Sequence, residues 1–303
     1  ASSAWKVFES QSMQNQLIYE KCSPLNLAKY ASSNTDTPLH WGQKYEPVSV
    51  EYYEKKYKTK VSDFGCVPHH IHKCLGASPD GINTDKNSVL YGRMLEIKNI
   101  VNREITGIPK KEYWIQMQLQ METCNLNECD FLETRFKEYE SYEAFSNDGT
   151  FVKTENGKLK GVIIYFVKDK RPHYEYAPLS CSEEEYEKWE ADIMEKNSNL
   201  SWMKNIYWYL DEISCVLVLR NKEWFQAAIP TIENTWKIIE NERVTGYKHR
   251  GPRTRKQLAP NKKPPKAPIK SIMKLNTCVI DANPEKPIIK VRTESFDSSS
   301  GGD

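Results

Sequence analysis

The sequence predicts an α/β (α+β) fold in which a central mixed β-sheet is flanked by helices, and two observations predict it. Strand-like apolar runs lie at residues 131–136, 161–167 and 216–219. Helix-like runs lie between them at residues 112–123 and 182–196, the second with a serine cap and acids in its first turn. Helical and strand-like segments therefore alternate as α, β, α, β, α, which is typical of a mixed sheet covered by helices.

The first hundred residues divide into a helical part and a strand-rich part. Residues 1–60 are predicted to be mainly helical, with one helix starting at Ser23 and Pro24 because serine caps a first turn that proline fits. A second helix is predicted over residues 43–57. Residues 61–101 carry four glycines between short apolar runs, which indicates strands and turns.

Bulk composition is that of an ordinary globular chain. Of the 303 residues, 28% are charged and 39% are hydrophobic, and no apolar run is long enough to cross a membrane. The start lacks a signal-peptide pattern, and it is alanine rather than methionine, which predicts a fragment or processed form. Eight scattered cysteines form no disulfide framework, so we expect free thiols in an intracellular, reducing compartment.

The charge is unevenly distributed between a folded part and a tail. Residues 248–274 contain ten Lys/Arg, five prolines and no acid. This composition predicts a folded domain over residues 1–247 and a basic, proline-rich, disordered tail over 248–303. The tail cations expected to attract DNA are Arg253, Arg255, Lys256, Lys262, Lys263 and Lys266. The same cations could instead form an address signal or only a solvated end.

Two carboxylates and one lysine have a spacing in the sequence that suggests a catalytic site. Asp80 lies in a Pro-Asp-Gly turn, and Glu96 and Lys98, two residues apart on a predicted strand, share one face. Asp80 is then expected at the mouth of the neighbouring strand. Such a group can hold a divalent cation and orient a water, which is the minimum needed to cut a phosphodiester. Taken singly, each piece also fits a common turn or a surface charge pair.

Two further segments supply side chains that could join this group. Glu46 is a helix-borne carboxylate, although it could equally be a surface glutamate. On the helix at 112–123, Tyr113, Gln116 and Gln120 share one face, whereas Gln118 points the other way. A phenol and amides on one face can hold a water or a phosphate oxygen, or they can simply form a polar helix surface.

Together, the motifs resemble a known family. The ordered set Trp41-Gly42-x-x-Tyr45-Glu46, Ser78-Pro79-Asp80-Gly81, Leu95-Glu96-Ile97-Lys98 and Tyr113-x-x-Gln116-x-Gln118 is similar to the lambda-exonuclease-like, YqaJ-like viral recombinases of the PD-(D/E)XK nucleases. The resemblance covers about residues 1–245 and is greatest to versions from large double-stranded DNA viruses. It implies a restriction-endonuclease-like core in which residues 83–92 form a hairpin excursion.

The resemblance also implies roles for individual residues. The implied metal ligands, for two Mg²⁺ ions that Mn²⁺ could replace, are Asp80, Glu96, the backbone carbonyl of Ile97, and Glu46. Lys98 would activate the attacking water, and Gln116 and Tyr113 would hold that water or the scissile phosphate. Ser2 would bind a terminal 5′-phosphate.

The implied function is a Mg²⁺-dependent 5′→3′ exonuclease that degrades one strand of duplex DNA from its ends during viral-type recombination or repair. Its implied partners are duplex DNA ends, a single-strand annealing protein and two further copies in a homotrimer, with no membrane. The implied compartment is a viral replication site in host cytoplasm or nucleus. Two alternatives stay open at this point: an endonuclease or nicking enzyme, and an inactive DNA-binding assembly module.

One further segment could suggest a zinc site. Residues 66–74 contain Cys66, His69, His70, His72 and Cys74, but no second pair of ligands accompanies them. We therefore expect these histidines to line the approach to the site or a strand surface rather than to bind zinc.

Overall fold

The computed structural model describes residues 1–24 and 34–252, together with the backbone of residues 291–292. The helices of this part are α1 (Gln11–Cys22), α2 (Pro38–Tyr57), α3 (Lys111–Cys124), α4 (Tyr142–Ser146), α5 (Glu183–Lys196) and α6 (Lys222–Thr245). The strands are β1 (Val61–Ser62), β2 (Val67–Pro68), β3 (Gly76–Ala77), β4 (Gly81–Asn83), β5 (Met94–Asn99), β6 (Glu128–Glu138), β7 (Lys160–Lys168), β8 (Arg171–Tyr176), β9 (Ser201–Leu219) and β10 (Val291–Arg292).

A single mixed sheet organises the chain. Its strand order is β1-β4-β5-β6-β9-β7-β8, with β10 also paired to β9, while β2 and β3 form a separate pair. β5 and β6 run parallel, and the other described pairs run antiparallel. The predicted mixed sheet flanked by helices is therefore confirmed.

Helices cover both faces of the sheet. On one face, called the α2 face, Tyr53 of α2 packs on Leu95 and Leu132. On the opposite face, called the α3 face, Met117 of α3 packs on Phe131. Further along that face, α5 packs on β7 through a second apolar cluster. Because β-strand side chains alternate between faces, the residues of β5 divide between these two layers.

β4 leaves β5 early, and this opens an edge in the sheet. β4 pairs with β5 only at Gly81–Leu95 and Ile82–Met94. A side chain at position 81 would meet the Val61 side chain at 2.0 Å, so glycine is required where β4 turns away. The carboxyl half of β5 is consequently open on the side where Asp80 precedes β4.

Several predicted boundaries differ from the structure. Ser23 ends α1, and its hydroxyl donates to the Tyr19 carbonyl at 2.7 Å. The helix predicted to start at Ser23 and Pro24 would run through residues 25–33, which lie outside the described residues. The serine–proline pair that suggested a start fits a helix end equally well, since proline cannot continue a helix. α2 begins earlier than predicted, at Pro38 behind the Thr37 cap.

The strand predicted at 216–219 is only the end of a 19-residue strand, β9. The hairpin predicted over 83–92 corresponds to the antiparallel β4–β5 pair and its connecting loop. The capping box predicted at the start of α5 is present, formed by Ser182 and Glu185.

Parts of the predicted organisation cannot be compared with the described residues. The tail cations Arg253, Arg255, Lys256, Lys262, Lys263 and Lys266 lie outside them. The boundary predicted at residue 247 falls beside a short 3-10 helix, Lys248–Arg250. Within the described ranges, no helix has the length and apolar character needed to span a bilayer.

Candidate active site

The open edge of β5 gathers the predicted acids and the lysine. The Ile97 amide donates to Oδ2 of Asp80 at 2.6 Å, and the Ile97 carbonyl accepts from Nζ of Lys98 at 3.1 Å. In a parallel strand, the amide and carbonyl of one residue point to the same edge. The backbone of Ile97 is therefore turned towards Asp80.

Glu96 is a fully buried carboxylate with polar partners on both oxygens. It is 0% exposed on the α3 face of β5. Its Oε1 accepts from Lys98 and, at 2.7 Å, from Gln116, while its Oε2 accepts from Gln120 at 2.9 Å. A buried charge is costly unless it is paired and hydrogen-bonded, and these donors meet that need. Glu96 is thus buried among polar groups rather than hydrocarbon.

The helical period of α3 places two side-chain amide donors on the face that is turned towards Glu96. Gln116 and Gln120 are one helical turn apart and both reach Glu96, whereas Gln118 accepts from the Asn221 amide at 2.6 Å and donates to the Leu219 carbonyl at 2.9 Å. The predicted division of α3 faces is confirmed. The ring of Tyr113 lies 5.3 Å from Nζ of Lys98.

Gln120 is a site residue that the sequence analysis placed on the correct face but did not assign to the site. Its amide group also donates to the Ser78 carbonyl at 3.3 Å, which ties α3 to the turn that carries Asp80. Its Oε1 is buried and has no partner among the described residues. The one-turn spacing from Gln116 was the sequence signal that could have included it.

Glu46 reaches the same region from the other side of the sheet. A cleft of about 600 Å³ is lined by Glu46 of α2, by Asp63 and by Asp80 with its turn. Glu51 and Glu54 also line this cleft, but each pairs with a lysine. The four residues predicted to converge, at positions 46, 80, 96 and 98, therefore lie around one edge of β5.

The electrostatics of this edge reflect an excess of acid. Burial, together with the charge of Glu96, raises the pKa of Asp80 to about 8. Burial also raises the pKa of Glu46, and the neighbouring Glu96 acts in the same direction. Burial alone would lower the pKa of Lys98, but Glu96 and Asp80 outweigh it and the pKa is raised. Three carboxylates thus face one ammonium group.

The oxygen atoms at this site are of the type that a hard divalent cation binds, but they are not arranged around one ion position. Carboxylate and carbonyl oxygens are the ligands that Mg²⁺ prefers. Within the described ranges, however, no three His, Cys, Asp or Glu side chains are spaced to hold one ion. Lys98 instead contacts both Glu96 and the Ile97 carbonyl, two of the predicted ligands. Metal ligation by Asp80, Glu96, Ile97 and Glu46 stays a prediction.

Ser2 is exposed beside the strand that leads to Asp80. The amino group of Ala1 donates to the Gly76 carbonyl at 2.6 Å, four residues before Asp80. This contact holds the start of the chain near the cleft, and the Ser2 side chain has no hydrogen bond to another described residue. Its assignment to a 5′-phosphate stays a prediction.

In the histidine-rich segment, as in the rest of the described ranges, no three His, Cys, Asp or Glu side chains are grouped so that they could hold a metal ion. His69 is 2% exposed, and its ring stacks on Phe225 of α6 with centroids 5.9 Å apart. His72 bonds Glu233 of α6 at 2.8 Å. His69 and His72 therefore lie beside the β2–β3 pair and contact α6, which fits the strand-surface alternative of the expectation rather than the approach to the site.

The fold and this site define an α/β protein with an acid–acid–lysine cluster at a split sheet edge. Residues 1–127 match the model of the YqaJ-like viral recombinase domain. The first part of the chain is therefore similar to the YqaJ-like viral recombinase domain, in agreement with the resemblance that the motifs indicated.

A curated relative extends the similarity beyond that domain. The "Uncharacterized protein R354" of Acanthamoeba polyphaga mimivirus is 34% identical over 238 residues, which is 66% of this chain and 43% of the relative. The chain thus spans less than half of the relative's length. The match agrees with the predicted resemblance to versions from large DNA viruses.

Two solved structures are similar at a lower level. An alkaline exonuclease (LHK-Exo) from Laribacter hongkongensis is 18% identical with a TM-score of 0.44, covering 80% of this chain and 87% of that one. The same protein in complex with dAMP also has 18% identity and a TM-score of 0.44, with 85% and 93% covered. The architecture described above rests on the strand registers of this chain.

Proposed function

We propose that this chain is a metal-dependent deoxyribonuclease. The observation that carries the proposal is the convergence of Asp80, Glu96 and Lys98 on the open edge of β5, where two carboxyl groups share one ammonium group and the pKa of Asp80 is raised to about 8. Uncompensated carboxylates that are buried together are costly, so a cation between them would offset their repulsion. The YqaJ-like domain of residues 1–127 supports the same class of activity.

The residues that would hold Mg²⁺, or Mn²⁺ in its place, are Asp80, Glu96, the carbonyl of Ile97 and, for a second ion, Glu46. When bound, such ions activate a water and stabilise charge on the attacking and leaving oxygens of a phosphodiester. The pKa of about 8 for Asp80 means that a cation would compete with a proton for this carboxylate.

The chain's own side chains would orient the reactants. Gln116 and Gln120 fix both oxygens of Glu96, so its direction does not depend on Lys98 alone. Lys98, which contacts Glu96 and the Ile97 carbonyl, would present its ammonium group to the attacking water and the scissile phosphate. Tyr113, beside Lys98, would contact that phosphate through its hydroxyl.

We further propose 5′→3′ exonuclease action on duplex ends, in viral-type recombination or repair. Ser2, held near the cleft by the Ala1–Gly76 hydrogen bond, is the candidate contact for a terminal 5′-phosphate. A single-strand annealing partner, a homotrimer and a viral replication compartment in host cytoplasm or nucleus belong to the same proposal. The relative from a virus supports that setting.

The test is digestion of linear duplexes that carry a 5′-phosphate or a 5′-hydroxyl, with Mg²⁺ and with a chelator. We expect Mg²⁺-dependent release of nucleotides from the 5′ end, faster with the phosphate. A covalently closed circle should stay intact. Cutting of the circle would replace the exonuclease with an endonuclease, and no turnover of any DNA with Mg²⁺ or Mn²⁺ would reject the nuclease.

A further inference from the structure

We propose that the sheet surface next to Lys98 is a binding site for the DNA phosphate backbone, formed by Arg103, Arg135, Lys137 and Lys158 and called here the basic floor. This proposal deepens the proposed nuclease function and rests on it. It assigns these residues to substrate binding rather than to chemistry.

The basic floor lies on the same face of the sheet as the reaction centre. Lys98 of β5 is paired with Glu133 of β6, and alternate residues of β6 continue along this face as Arg135 and Lys137. The face is the α3 face, because Glu96 and Lys98 point to it. Lys137 lies four residues after Glu133, the β6 partner of Lys98, and this corresponds to roughly 13 Å along the strand.

The floor is accessible where α3 no longer covers the sheet. Phe131 of β6 is buried under α3, whereas the side chains of Arg135 and Lys137 are 20% and 52% exposed. Lys158 approaches the same surface and is 33% exposed. The exposed strip therefore begins beside Lys98 and runs along β6 away from it.

The charges of the floor are not balanced. Asp211 is the described partner of both Lys137, at 2.7 Å, and Lys158, at 2.5 Å. Both ammonium groups also lie near the ring of Tyr209. The Nζ atoms of Lys137 and Lys158 are 6.0 and 5.8 Å from the ring centroid. The four cations of the floor thus pair with three carboxylates, Glu133, Glu212 and Asp211, which leaves one cation in excess of the paired acids.

The two arginines extend the floor to the reaction centre. Arg135 pairs with Glu212. Arg103 pairs with the buried Glu133, and its guanidinium lies 5.4 Å from the ring of Tyr113. Since Nζ of Lys98 is 5.3 Å from the same ring, Tyr113 separates the reaction centre from the first cation of the floor.

These features fit phosphates rather than bases. Cations on a flat strand surface neutralise a backbone in any sequence, and aromatic rings among them add sequence-tolerant contacts. At 3.4 Å per nucleotide along one strand, 13 Å corresponds to about four nucleotides. The floor would therefore hold phosphates within about four nucleotides of the bond that is cut.

The test measures affinity without cleavage. A labelled duplex is titrated in chelator at several salt concentrations with the double variant Lys137→Ala/Lys158→Ala. We expect about a tenfold weaker Kd near 0.1 M salt and a salt slope smaller by roughly one to two. The matched control is Lys188→Ala/Lys237→Ala, which removes two exposed lysines of α5 and α6 and should leave both values unchanged.

A variant with the opposite expected sign separates binding from folding. Asp211→Asn removes the shared acid and frees both lysines, so it should tighten DNA binding about threefold. A purely structural role for these ion pairs would weaken binding or leave it unaltered in both variants. Equal affinities for the double variant and its control, or no tightening by Asp211→Asn, overturns the basic floor.

Turnover with Mg²⁺ distinguishes a failure of the basic-floor proposal from a failure of the proposed nuclease activity. For the double variant we expect a higher KM with kcat retained. If the unaltered protein cuts DNA but the affinity pattern is absent, the floor is rejected and the nuclease stands. If the pattern is present but no DNA is ever cut, the nuclease is rejected and only the DNA-binding role of the floor survives.

Discussion

Lys98 is half-buried and Lys160 is fully buried, and their surroundings differ in kind. Lys160 is 1% exposed, and its ammonium donates to the backbone carbonyls of Phe145, Asp148 and Thr150 at 2.5–2.7 Å. It also lies 4.0 Å from the Phe145 ring centroid. Lys98 instead faces carboxylates whose combined charge exceeds its own.

The difference separates a structural lysine from a reactive one. Burial lowers the pKa of Lys160, and three fixed dipoles satisfy its donors without a neutralising acid at contact distance. Its role is complete in the folded chain, where it ties the segment after α4 to β7. The Lys98 site has more carboxyl groups than ammonium groups, which suits the proposed cation, and the two lysines should respond differently to substitution.

The largest expected effect is on catalysis at Lys98. Lys98→Ala should reduce Mg²⁺-dependent DNA turnover by about 10²–10⁴-fold, because a positioned cation is lost from the reacting phosphate. Single-turnover digestion of a linear duplex measures it, with the melting temperature as a check on folding. Turnover equal to that of the unaltered protein would show that Lys98 has no part in the chemistry.

The next effect is on stability at Lys160. Lys160→Ala removes the donor of three carbonyl hydrogen bonds, one of them buried and two half-buried, and should lower the free energy of unfolding by about 2–4 kcal/mol. Urea denaturation measures it, and kcat below the transition should not change. Lys153→Ala, an exposed lysine of the same segment, is the control. Similar losses in both variants would contradict the structural role.

A smaller effect should distinguish the two faces of α3. Gln120→Ala removes one donor to Glu96 and should lower turnover about tenfold. Gln118→Ala breaks contacts of similar number to Leu219 and Asn221. It should cost about 1–2 kcal/mol of stability and leave turnover nearly unaltered. If Gln118→Ala impaired turnover as much as Gln120→Ala, the face-specific role of α3 would be wrong.

The smallest effect is the pH dependence of the cation-free protein. The pKa of Asp80, about 8 in the folded state and about 4 when unfolded, means that the folded state holds a proton that the unfolded state has lost. This contribution stabilises the folded state at low pH and is lost as pH rises from about 4 to 8.

Asp80→Asn should therefore melt above the unaltered protein in chelator at pH 9, with the difference shrinking towards pH 5. Mg²⁺ should raise the melting temperature of the unaltered protein at pH 9 and affect the variant less. Thermal melts across pH measure both. A difference that grows towards acid would reverse the sign and exclude a raised pKa for Asp80.

Sequence patterns determined the local structure and the list of reacting groups. The period of α3 separated Gln116 and Gln120 from Gln118, and strand alternation placed Glu96 and Lys98 on one face. These results follow from covalent geometry, which sets the direction of neighbouring side chains. Local patterns did not decide whether Ser23 starts or ends a helix, because both ends accept the same residue pair.

Only the tertiary structure decided where the charges lie and what covers them. The early departure of β4 opens the edge at Ile97, and it depends on strand pairing between distant segments. The stacking of His69 on Phe225 and the sharing of Asp211 by Lys137 and Lys158 likewise join residues far apart in the chain. A linear sequence fixes residue types and their period, but burial and charge balance arise from packing between distant elements.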